Sequence, residues 1–146
     1  MGQIGDPQAV DYLIKAMDDD NQGVICEVVE ALGKTSNPFA MEKLISVLDD
    51  KLVVRRQSAA KALGITGNPY AVEALIKALD DDDADVRGSA AEALGRIGDP
   101  QALDSLIEAL DNDDLNVRLA AAEALGRIGD PRAVEALIKA LDRNDL

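Results

Sequence analysis

"LGRIGDP" occupies residues 94–100 and returns letter for letter at 125–131, while a frayed version, "MGQIGDP", stands at 1–7. Glycine, then an acid, then proline reads as the stop of one helix and the start of another. The glycine suits a left-handed residue after a helix. The acid suits an N-cap, and proline at the first helical position needs no N–H. Working outward, the five prolines fall at 7, 38, 69, 100 and 131, a constant step of 31. Each is preceded by an N-cap residue: Asp6, Asn37, Asn68, Asp99 or Asp130. A helix, here helix A, is expected at every site.

"AVEALIKALD" at 71–80 recurs unchanged at 133–142 and places apolar residues at i, i+3, i+4 and i+7, the stripe of an amphipathic helix. An Asp-rich turn follows, then a second amphipathic stretch, helix B, such as "VRGSAAEALG" and "VRLAAAEALG". Helix B closes at Gly67, Gly98 and Gly129, with Ser36 the exception. A second glycine column, Gly33, Gly64, Gly95 and Gly126 (Gly2 in the frayed copy), falls inside its last turn. Glycine there costs about 1 kcal/mol against alanine, so the column is expected to admit close approach of the next helix A. Leu13, Leu44, Leu75, Leu106 and Leu137 form one apolar column, and Ile14, Ile45, Ile76, Ile107 and Ile138 another. Ala31, Ala62, Ala93 and Ala124 pair with Leu32, Leu63, Leu94 and Leu125 in helix B. No unit can bury such faces alone; stacking does. The expected fold is all-α, a right-handed α-solenoid of four helix pairs plus a final single helix. It forms one domain over 1–146, with repeats near 6–36, 37–67, 68–98, 99–129 and a partial 130–146.

Composition narrows the function. With 28 acids against 15 bases the formal charge is −13, which argues against nucleic acid and anionic lipid. No apolar run is long enough for a membrane span. The single cysteine, Cys26, fits a reducing compartment, so a cytoplasmic location is expected. There is no histidine, which removes the imidazole-dependent serine, cysteine and zinc chemistries. Cys26 has no basic neighbour in its repeat to activate it. The turns "LDDDDADV" and "LDNDDLNV" lack calcium-loop spacing, and Asp83 and Asp114 read instead as N-caps of helix B. No catalytic residue, metal or cofactor is expected.

"DPRAVEALIKAL" at 130–141, the acidic turn, and "DVRGSAAEALGRIG" at 85–98 resemble the short HEAT-like repeat first described in phycobilisome lyases. The resemblance covers the whole chain, more tightly in its last three repeats. It implies a ladder between a turn Asp and an Arg early in helix B: Asp50–Arg56, Asp81–Arg87 and, more weakly, Asn112–Arg118. Repeat two offers either Arg55 or Arg56, and the first repeat has Ile25 opposite Asp19, so the ladder should stop there. An Arg fork can bond turn carbonyls or carboxylates of adjacent units. The resemblance also suggests a subunit or fragment of a bilin-lyase-type enzyme as the alternative function, with an engineered or structural repeat module behind it.

Comparing the repeats with each other separates packing columns from variable ones. Helix B varies at Gln22/Val53/Ala84/Leu115, at Cys26/Gln57/Gly88/Leu119 and at Glu30/Lys61/Glu92/Glu123. These columns are four apart and lie on one side of the helix. In α-solenoids the B helices line the concave surface. Gln57, Lys61, Glu92, Leu115, Leu119 and Glu123 are therefore the candidate partner-binding residues, and a non-catalytic scaffold for a protein or peptide is the expected function. The first helix A lacks a preceding partner and the last lacks its helix B, so both ends should expose apolar surface, suited to a longer repeat protein or to end-to-end association.

Overall fold

The computed structural model describes residues 7–16, 21–35 and 37–142. Met1, Gly2, Asp6, Asp19 and Ser36, which carry expectations above, lie outside the described residues, as do the side chains of Gln22 and Cys26. Nine α-helices are present among the described residues: α1 (Pro7–Ala16), α2 (Gln22–Gly33), α3 (Pro38–Val47), α4 (Val53–Thr66), α5 (Val72–Ala78), α6 (Ala84–Ile97), α7 (Leu103–Ala109), α8 (Leu115–Ile128) and α9 (Pro131–Asp142). Odd-numbered helices form row A and even-numbered helices row B, an all-helical solenoid.

The caps explain the boundaries. Oδ1 of Asn37, Asn68, Asp99 and Asp130 accepts from the N–H two residues on, at 2.8, 3.0, 2.9 and 2.8 Å. Row B starts the same way, with Asn21, Asp83 and Asp114 accepting from Gly23, Asp85 and Asn116 at 2.8 Å each. Leu52 holds that position in repeat two and caps nothing; Asp50 Oδ1 takes the Leu52 N–H instead, at 2.9 Å. Helices α4, α6 and α8 end on Gly67, Gly98 and Gly129, with φ of 64°, 74° and 71°. Row A is shorter than its sequence pattern implies. In repeats three and four its first turn, Pro69–Ala71 and Pro100–Ala102, is 3₁₀, closed by Ala71 N–H to Asn68 O and Ala102 N–H to Asp99 O at 3.1 Å.

Leu44, Leu75 and Leu106 of row A and Leu32, Leu63, Leu94 and Leu125 of row B are all buried, forming one aliphatic seam between the rows. The second glycine column works differently from its expected role. A Cβ on Gly95 would sit 2.7 Å from Ala124 Cα, one on Gly64 2.8 Å from Ala93 Cα, and one on Gly33 3.1 Å from Ala62 O. The neighbour is the next helix B, not the next helix A. Glycine and alanine let successive B helices approach to backbone contact, and α2, α4, α6 and α8 pack on each other far more extensively than the A helices do. Between A helices the spacing is wider, with an open cleft of about 550 Å³ against α3 and α5. A stack compressed along one row curves toward it, so row B is the inner row.

Candidate functional site

Helical geometry and the glycine seats divide the variable columns of row B. Residues four apart drift by about 40° per step around a helix. Val53 and Gln57 therefore lie about 20° to either side of the direction in which Gly64 faces the next helix, and Lys61 about 60° from it. Gln57, Leu115 and Leu119 lie close to the Gly64/Gly126 direction, on the stripe that meets a following B helix. Gln57 is half-buried there beside α6; Leu115 and Leu119, on α8, are 50% and 48% exposed. Lys61, Glu92 and Glu123 are exposed on the open inner surface instead.

The inner surface includes a column that sequence comparison passed over: Lys34, Ile65, Arg96 and Arg127, four residues after the acidic column. In three repeats the two columns close on themselves. Lys34 Nζ lies 3.1 Å from Glu30, Arg96 Nη2 3.4 Å from Glu92, and Arg127 Nη2 3.2 Å from Glu123. Such exposed i,i+4 pairs contribute only about 0.3–0.5 kcal/mol each, but they set which charges remain available. Repeat two breaks the pattern with Lys61 and Ile65. Both line two adjoining grooves, about 210 Å³ between α2 and α4 and about 300 Å³ between α4 and α6. Ile65, 45% exposed, also borders a larger depression of about 790 Å³ that runs over the turn to Met41 and Tyr70. A variable column reading Lys, Ile, Arg, Arg was the available signal.

The Asp–Arg ladder lies on the edge where helix A turns into helix B. Arg56 Nη1 donates to Asp50 O at 2.9 Å and Lys51 O at 3.2 Å within its own turn. Its Nε and Nη2 grip the Asp81 carboxylate of the next repeat at 2.9 and 3.1 Å. That bond, opposed by desolvation, lifts the Arg56 pKa above the usual arginine value. The contact six residues back is therefore to a carbonyl, and the carboxylate comes from 25 residues ahead. Arg55 takes the Asp50 carboxylate at 3.5 Å. Arg87 and Arg118 repeat the carbonyl half, to Asp81 O at 2.8 Å and Asn112 O at 2.7 Å. The carboxylate half fails at Arg87, because Asn112 occupies the place of Asp81. Arg87 Nε is buried without an acceptor, and Nη2 reaches only the exposed Asp113, at 3.5 Å. The ladder fastens repeats to each other and faces neither groove.

Among the described residues no three His, Cys, Asp or Glu side chains group as a metal site, and no helix is long and apolar enough to cross a membrane.

A family model for HEAT repeats matches residues 1–64, 41–114 and 72–146, and so spans the chain. No curated protein matches it. Among solved structures, the complex of CpcE and CpcF of phycocyanin lyase from Nostoc sp. is similar, at 25% identity and a TM-score of 0.71 over 97% of this chain. The match spans 66% of that chain, a little under two thirds. Human deoxyhypusine hydroxylase is similar at 26% identity and a TM-score of 0.60, over 92% of this chain and 56% of that one. A computationally designed armadillo repeat protein for modular peptide recognition shares the fold at 24% identity and a TM-score of 0.58, over 91% and 71% of the two chains. The chain belongs to the HEAT-repeat family.

Proposed function

We propose that the chain is a non-catalytic scaffold that holds a protein or peptide segment against the inner surface of row B. The supporting observation is the pair of adjoining grooves at Lys61 and Ile65, on a surface where Glu30, Glu92 and Glu123 are each paired with a cation of their own repeat. Grooves between stacked helices suit an extended segment, whose side chains alternate into successive recesses. Replacing Lys61, Glu92 and Glu123 together by alanine alters only exposed positions and leaves the fold intact. Binding of peptides selected from a displayed library should fall at least tenfold, and unchanged binding rejects the proposal.

A second reading, a subunit of a lyase-type assembly, draws on the likeness to the CpcE–CpcF complex. Chromophore attachment to a phycocyanin apoprotein that depends on the added chain, followed by absorbance, distinguishes it from the scaffold. The exposed C-terminal face also suggests end-to-end self-association. Val134 and Leu141 of α9 are 53% and 65% exposed, where Val72 and Leu79, their counterparts two repeats earlier, are 0% and 6%. Concentration-dependent sedimentation that Val134→Lys abolishes supports association, and a strict monomer at high concentration excludes it.

A further inference from the structure

The inner strip of repeat two differs from its three counterparts in charge as well as shape. At positions 54, 58, 61 and 65 it reads Val, Ser, Lys, Ile and contains no acid. The corresponding strips carry Glu27 and Glu30, Asp85 and Glu92, and Glu123. The flanking Glu30 and Glu92 are drawn to their own cations, Lys34 and Arg96. Among the described residues Lys61 forms no ion pair, although the chain carries 28 acids. An uncompensated cation lies beside an exposed aliphatic side chain, at the mouth of two grooves.

Resting on the scaffold reading, we propose that this strip recognises an extended peptide segment through one carboxylate and one apolar side chain. The carboxylate meets Lys61 Nζ and the apolar group enters the groove at Ile65. Spacing sets the motif. Four residues of helix place Lys61 and Ile65 about 6 Å apart along α4. In an extended segment, residues two apart point to the same face and are separated by about 6.6 Å. The recognised element is therefore Asp or Glu, any residue, then an aliphatic or aromatic residue, in either order. Past Ile65 the depression toward Met41 and Tyr70 offers room for a further apolar side chain.

The test pans a random 12-residue peptide library on phage against the chain, then measures the selected peptides by fluorescence anisotropy. Lys61→Glu and Ile65→Arg give repeat two the residues that repeats three and four already carry, so both variants keep the fold, checked by circular dichroism. Selected peptides should contain the acid–x–apolar spacing and lose about tenfold in affinity against either variant. Replacing the peptide's acid by its amide should cost the same against the unaltered chain and nothing against Lys61→Glu. Amidating the peptide C-terminus should cost nothing; a loss there in place of one at the Asp or Glu overturns the proposed motif. Peptides that depend on Glu92 and Glu123 but are indifferent to Lys61 overturn this proposal and leave the scaffold reading standing. No selection above background overturns both.

Discussion

Gly95 and Gly126 occupy equivalent positions in consecutive repeats, yet they should respond oppositely to the same change. A Cβ at Gly95 meets Ala124 backbone at 2.7 Å; at Gly126 it meets nothing within 4 Å. Gly95→Ala should therefore destabilise by about 2 kcal/mol through forced separation of α6 and α8. Gly126→Ala should stabilise by about 0.5–1 kcal/mol through helix propensity. Urea denaturation measures both, and a common sign would contradict the seating of B helix on B helix. Asn112 offers a second test. Asn112→Asp keeps the acceptor for the Asp114 N–H, now at 3.1 Å, and adds a carboxylate for the buried Arg87 Nε. It should stabilise by about 1 kcal/mol, or about 2–4 °C in Tm, despite adding negative charge. A lower Tm would show that Arg87 does not accept the link that Arg56 makes. Sequence made the glycine column and the Asp–Arg spacing visible, but not their partners. Repeat columns show that a position must be small or charged; they do not say which neighbouring helix it meets.

The helices themselves were largely legible, because caps act locally. Asn37, Asn68, Asp99 and Asp130 each satisfy an N–H two residues away, a relation that a short window contains. The variable face of row B was only half legible. Columns four apart share a side over one turn, but their drift carries Lys61 onto the open surface and leaves Gln57 at the helix contact. Helix α4 also departs from its row at its start, where Leu52 stands in place of Asn21, Asp83 and Asp114. Leu52→Asn should supply the missing cap and stabilise by about 1 kcal/mol, since Leu52 is half exposed and gives up little packing. A thermal melt no higher than that of the unaltered chain would show that Asp50, through its bond to the Leu52 N–H, already serves that end of the helix.

At the scale of the molecule, the 31-residue period gives the stack, and the glycine–alanine seats give it an inner and an outer row. The inner row is where repeat two drops its acids and opens its grooves, so a bound segment should lie there. NMR chemical-shift mapping with the tightest selected peptide tests this most directly. Binding in these grooves should concentrate the shifts at Lys61, Ile65, Ser89, Glu92 and Arg96, the residues around the groove between α4 and α6. Shifts confined to row A, or to the exposed end formed by Leu115, Leu119, Val134 and Ile138, would contradict it.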